Sequence, residues 1–188
     1  HMDEQIGRIL DRLEESRQAD NTYIFFTADH GLSVGHHGLI GKQNLFEHSV
    51  KVPFLVVGPD VEAAKTNDSL LYLQDIMPTT LELAGVEIPD HVQFQSLLPI
   101  LSGEANGYDS IYGGYLESQR SVIVENFKLV LYPSVPKILL FDLEADPLEM
   151  DDVSGQHPER VKDMFKDLLE LQDATGDTLD LKSVYPDL

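Results

Sequence analysis

Apolar residues near the start of the chain recur at helical spacing, with Ile6, Ile9, Leu10 and Leu13 at i, i+3, i+4 and i+7. That pattern predicts an amphipathic helix over residues 3–18. Ala19-Asp20-Asn21 breaks it, and the β-type run at residues 22–27 follows as a strand. Residues 53–57 are a second apolar run, ended by Gly58-Pro59. A helix is predicted over residues 76–84, with Asp75 as N-cap, Pro78 in the first turn and Gly85 as the stop. Another helical piece is expected near residues 94–101. After Gly103 the period shortens, predicting strands at 110–116, 121–125, 128–132 and 138–142, with Glu125-Asn126-Phe127 as a hairpin turn. Pro158 then opens a helix through residue 171 that puts Val161, Met164, Phe165, Leu168 and Leu169 on one face. The fold class read from this order is α/β: part of a doubly wound, mainly parallel sheet, then a small antiparallel sheet with a terminal helix.

The candidate chemistry lies between the first two strands. Tyr23-Ile24-Phe25-Phe26-Thr27 runs into Asp29-His30-Gly31, and Gly35-His36-His37-Gly38 and Gly41-Lys42 follow. Buried strands deliver active-site residues at such sheet ends. Asp offers a hard oxygen and His an imidazole nitrogen, so the pair suits a divalent cation. Lys42 offers positive charge to an anionic group. Residues 31–41 hold four glycines and two histidines, which reads as a loop whose backbone approaches a ligand closely. An isolated Asp-His pair has a bland reading too, as a turn cap beside a satisfied loop histidine. A short helix is expected at residues 45–50. There, Glu47 and Lys51 are spaced to pair at i, i+4, and His48 either reaches the pocket or sits half exposed.

Composition narrows the function classes. Thirty-three acidic against 13 basic residues give a net charge of −20, which argues against a basic nucleic-acid-binding face. The acid concentrates at residues 142–152 and 159–187, reading as a solvated acidic surface or as adaptation to high salt. Such a field repels a highly anionic polymer unless the site is locally positive. The acidic turn Asp142–Pro147 lacks the ligand alternation and glycine of a calcium loop and reads as structural. There is no cysteine, and no apolar run approaches the roughly 20 residues of a membrane-spanning helix. Periplasmic, secreted and cytoplasmic locations all stay open.

Taken in order, these segments resemble the C-terminal half of the type I sulfatases, in the alkaline-phosphatase-like superfamily. The resemblance rests on TADHG at 27–31, GHHGLIGKQNLFEHSVKVPFLVVGP from residue 35, LQDIMPTTLELAGVEIP, LLPILSGE, RSVIVENFKLVLY and LLFDLEADPLEMDDVSGQHPE. It implies a metal-dependent sulfuric ester hydrolase in which Asp29 and His30 are metal ligands. Lys42 would contact the sulfate and the leaving oxygen. His37 would touch substrate as a catalytic residue or buttress the loop, and His48 would bind substrate. The implied cation is Ca2+, with Mg2+ or Mn2+ as alternatives, since imidazole is softer than Ca2+ prefers. The implied nucleophile is a formylglycine made from Cys or Ser in a C/S-x-P/A-x-R motif. This chain has no such motif, so that residue is expected in a preceding portion and the chain alone is expected to be inactive.

His1-Met2 reads as a cloning scar, residues 3–104 as the end of the catalytic α/β domain, and residues 105–188 as a small sheet-plus-helix subdomain. The expected partner is a sulfate-ester small molecule or a sulfated glycan, with self-association as a homo-oligomer. Two rivals stay open. One is a phosphonate monoester or phosphodiester hydrolase of the same superfamily. The other is a non-catalytic binding or assembly module.

Overall fold

The computed structural model describes residues 1–188, which divide into two compact units. The first comprises His1–Ala28, Pro53–Asp68 and Leu73–Asn106. It contains α1 (Met2–Glu15), β1 (Ile24–Thr27), β4 (Phe54–Val57), α3 (Ile76–Leu83) and α4 (Leu98–Leu101). The second comprises Asp29–Val52, Ser69–Tyr72 and Gly107–Leu188. It contains β2 (Ser33–Val34), β3 (Ile40–Gly41), α2 (Glu47–Val50), β5 (Ser110–Tyr115), β6 (Gln119–Val124), β7 (Phe127–Tyr132), β8 (Lys137–Asp142), α5 (Pro158–Ala174) and α6 (Leu181–Val184). The α/β class holds.

In the first unit, β1 and β4 pair antiparallel, with Ile24 opposite Val57 and Thr27 opposite Phe54. This corrects the expectation of mainly parallel pairing. The chain leaves β1 at Thr27 and re-enters β4 at the residue facing it. A parallel partner would need a crossover back to the start of β1. The end of α3 follows its sequence signal. Gly85 takes φ 67, and the Val86 N–H donates to the Leu81 carbonyl at 2.9 Å, closing the helix with a left-handed glycine. Its beginning departs from expectation. Asp75 makes no side-chain cap; its Oδ1 accepts instead from the Gln95 N–H at 3.2 Å. The expected piece at 94–101 shrinks to α4.

The second unit is built on the antiparallel meander β5-β6-β7-β8. Alternation along the strands supplies two apolar faces. Val122, Leu129, Leu131 and Leu140 pack with Val161, Met164, Phe165 and Leu168 of α5. Val130, Leu139 and Phe141 form the other face and receive Phe46. The segment carrying the candidate chemistry thus docks, through Phe46, on the sheet face opposite α5. The expected loop at 31–41 contains the two-residue ladder β2–β3, with Ser33 opposite Gly41 and Val34 opposite Ile40.

Candidate functional site

Asp29 and His30 follow the end of β1 after one intervening residue, Ala28. The His30 backbone N–H donates to Asp29 Oδ1 at 3.0 Å, and Asp29 Oδ2 lies 3.3 Å from His30 Nε2. His30 Nδ1 lies 2.8 Å from the Gly31 carbonyl. A carbonyl only accepts, so Nδ1 carries the ring proton and Nε2 keeps a lone pair. Lys42 Nζ donates to that nitrogen. The hairpin register explains a contact between residues twelve apart: pairing Ser33 with Gly41 returns Lys42 alongside the strand start, next to Gly31 and His30. Gly35 (φ 101) and Gly41 (φ 117) adopt the positive angles this tight return requires.

The Asp29–His30 pair passes a donor test for a divalent cation. A carboxylate oxygen and an imidazole nitrogen stand 3.3 Å apart, the spacing of neighbouring donors around an ion with bonds of about 2.0–2.4 Å, and Lys42 would have to leave that nitrogen for it to ligate. The Asp29 side chain is 83% exposed, which leaves the remaining positions accessible.

Gly31 locks this segment to α2. Its N–H donates to the Ser49 carbonyl at 2.8 Å, and a Cβ built on it would lie 2.0 Å from the His48 carbonyl oxygen. His48 Nε2 is hydrogen-bonded to Ser33 Oγ, which also accepts from Asn44 Nδ2 at 3.3 Å. Burial, then the neighbouring His37 and His36 and Lys128, hold the His48 pKa below its ordinary value. His37 lies in the turn between β2 and β3 at φ 53, with its ring stacked on Phe46 at 4.0 Å and 8°. His37 Nε2 is buried without a hydrogen-bond partner. His36 is exposed.

Sequence reasoning missed the support beneath this segment. Glu47 reaches Lys51 only at 3.9 Å, with Lys51 77% exposed. Its closer partner is Lys128, wholly buried, at 2.9 Å; Lys128 also meets Glu149 at 2.9 Å. Glu149 Oε2 accepts from the Glu47 N–H at 2.6 Å. Burial raises the Glu149 pKa, with Lys128 opposing. The available signal was a lysine inside the apolar strand Phe127–Tyr132. His36, Glu47, His48, Lys51, Pro147, Leu148 and Glu149 line a cleft of about 190 Å3. In the acidic turn, Asp142 Oδ1 accepts from the N–H groups of Glu144 and Ala145 at 3.1 and 3.2 Å.

The sulfatase family model matches residues 1–86. An N-acetylglucosamine-6-O-sulfatase of Bacteroides thetaiotaomicron is 32% identical over 187 residues, covering 91% of this chain and 34% of the relative. A solved structure in complex with its substrate, D-glucosamine-2-N,6-O-disulfate, superposes with a TM-score of 0.87 at 29% identity, covering 96% of this chain and 40% of that one. The phosphonate monoester hydrolase of Agrobacterium radiobacter superposes at 0.80 with 26% identity, covering 92% and 39%. The chain spans about a third of the length of the curated relatives it matches. On these similarities and on the fold, the chain belongs to the sulfatase family and corresponds to the C-terminal portion of its fold.

Proposed function

We propose that this chain supplies part of the active site of a metal-dependent sulfuric ester hydrolase. The supporting observation is the meeting at His30 Nε2 of two contacts, one from Asp29 Oδ2 and one from Lys42 Nζ. Asp29 and His30 would hold a divalent cation, Ca2+ in the first instance, with Mg2+ or Mn2+ compatible with the same donors. When bound, the cation supplies Lewis-acid stabilisation of the sulfate oxygens and of the nucleophile. Lys42 directs its ammonium at the leaving oxygen and stabilises the charge that develops as the S–O bond breaks. His48, at the cleft, is assigned to substrate binding. His37 is the second candidate catalytic residue, held by its stacking on Phe46.

The nucleophile is proposed to be a formylglycine outside these 188 residues, since no Cys and no Ser in the required motif occurs within them. On this reading the chain by itself turns over no sulfate ester. The substrate class is a sulfated sugar or a related sulfate ester, in keeping with the Bacteroides relative and the substrate complex.

A second reading, phosphonate ester hydrolysis, draws on the Agrobacterium structure. The same cation and lysine suit either tetrahedral anion. The deciding experiment uses the full-length protein, coproduced with a formylglycine-generating enzyme. It compares kcat/KM for 4-nitrophenyl sulfate with that for the matching phenylphosphonate ester, with and without divalent cations. Metal-dependent preference for sulfate supports the proposal, and preference for the phosphonate transfers the site to the second reading. No turnover of either ester would point to a non-catalytic module.

A further inference from the structure

We propose that His36, His37 and His48 form a second metal site, separate from Asp29–His30, that takes a transition-metal ion such as Zn2+, Cu2+ or Ni2+. One ring nitrogen from each histidine lies within 4.8 Å of the others. Tetrahedral zinc with bonds of about 2.05 Å sets its nitrogens about 3.3 Å apart. Closing the remaining gap requires rotation of side chains, and exposed His36 is free to turn.

The other two rings are already held. His37 stacks on Phe46 at 4.0 Å, and its ring centroid lies 5.5 Å from that of His48. His37 Nε2 is buried with no hydrogen bond, although it stands beside two further imidazoles. Buried polar atoms are normally satisfied, so this nitrogen is an unsatisfied polar atom on a ring clustered with two further imidazoles. Ligating histidines are oriented through their second nitrogen. His48 Nε2 is bonded to Ser33 and Ser33 to Asn44, so Nδ1 is the nitrogen that would be left for a metal. His37 also keeps a left-handed backbone, φ 53, at a residue with a side chain. Such strain persists where surrounding structure over-determines it and concentrates at ligand sites.

The donor set selects the ion. Three imidazoles without a carboxylate favour borderline metals, whereas Ca2+ prefers six to eight oxygens. Three protein ligands also leave a fourth position for water or another ligand. The chain's net charge of −20 raises the local concentration of any cation. The three histidines belong to one compact unit, and binding a metal would give His37 and His48 a different role from the one proposed for them above.

The test is calorimetric titration of Zn2+ into the chain carrying His1→Ala, which removes the terminal imidazole as a competing ligand. The expected result is one Zn2+ per chain. His36→Ala weakens binding about tenfold or more, while the Asp29→Asn/His30→Gln double variant retains it. Imidazole resonances of His36, His37 and His48 shift together at one equivalent. Excess Ca2+ does not displace the ion. His36 is exposed, so its substitution leaves the fold intact by circular dichroism. Affinity unchanged in His36→Ala, or binding lost in the Asp29→Asn/His30→Gln variant, overturns the proposal.

Discussion

The Gly31 backbone lies so close to His48 that a Cβ there would stand 2.0 Å from the His48 carbonyl oxygen. Through that contact the segment bearing Asp29 and His30 is registered against α2. Neither partner atom belongs to a flexible side chain, so a methyl group cannot be absorbed by a rotamer change. Gly31→Ala is expected to cost about 3 kcal/mol through backbone displacement. Urea denaturation of the chain should show the loss as a lower midpoint with unchanged slope. Wild-type stability in Gly31→Ala would contradict the contact.

Lys128 is the second tie. Its ammonium is wholly buried between Glu47 and Glu149, at 2.9 Å from each. Lys128→Met leaves two carboxylates in an apolar setting, and removing one member of a buried ion group costs about 3–5 kcal/mol. Adding Glu47→Gln and Glu149→Gln removes the uncompensated charges, so the triple variant should regain much of that loss. Chemical denaturation of the three proteins, wild type included, measures both steps. A triple variant no more stable than Lys128→Met would mean that packing, not charge, sets the cost.

These two ties mark where the sequence stopped being legible. The meander and α5 were readable because their periodicities are local; the predicted strands and helix fall within a few residues of β5–β8 and Pro158–Ala174. The Asp29-His30 pair and Lys42 stood out because a β-type run leads into the pair and the segment resembles a sulfatase motif, whereas the β2–β3 return read only as a glycine-rich loop. Lys128 is 81 residues from Glu47, and no spacing rule links them. The nearer Lys51, at i+4, drew the pairing on helical geometry but stays in solvent. Likewise Asp75 has the composition of an N-cap, but a tertiary donor, the Gln95 N–H, claims its carboxylate. The direction of β4 against β1 depended on how the intervening segment returned, which alternation cannot encode.

Lys42 donates to His30 Nε2 and is exposed, so it carries little of the fold. In the full-length protein, Lys42→Ala is therefore expected to lower kcat/KM for an aryl sulfate by about 10²–10³-fold, the usual cost of removing one donor to a developing oxyanion. The melting temperature should move little. An aryl leaving group of low pKa needs less assistance, so the deficit should grow as the leaving alcohol becomes more basic. Unchanged kcat/KM across the leaving-group series would remove Lys42 from the reaction.

Asp177 sets a pH limit on the second unit. Arg120 Nε and the Tyr112 hydroxyl both donate to Asp177 Oδ2, and Arg120 Nη2 donates to Oδ1 at 3.1 Å. The hydrogen bonds from Arg120 are the largest influence and hold the Asp177 carboxyl well below the usual carboxylate range, against the opposing effect of burial. A depressed folded pKa adds stability that is present above the unfolded value, about 3.9, and is lost as pH falls from there toward the folded value. Asp177→Asn should therefore cost about 1–2 kcal/mol at neutral pH, allowing for solvent screening at the carboxylate. The gap to wild type should stay constant from pH 6 to 8 and shrink below about pH 4. A gap independent of pH down to 2 would contradict the assignment.

The first unit predicts the solution behaviour of the chain. β1 and β4 form a sheet of only two strands, so each has an edge without a strand partner. Phe26 and Leu55 are register partners on that pair, and both are exposed, at 40% and 57%. Val57 is exposed too, and α1 buries none of its residues although Ile9 and Leu10 are apolar. An open apolar edge recruits another strand, and two strands alone are marginal in water. The isolated chain is expected to self-associate, with a sedimentation coefficient that rises with concentration. A lysine on the exposed face opposes edge pairing, so Leu55→Lys should shift the distribution toward monomer. A wild-type chain that stays monomeric across the concentration range would show that this surface is tolerated as it stands.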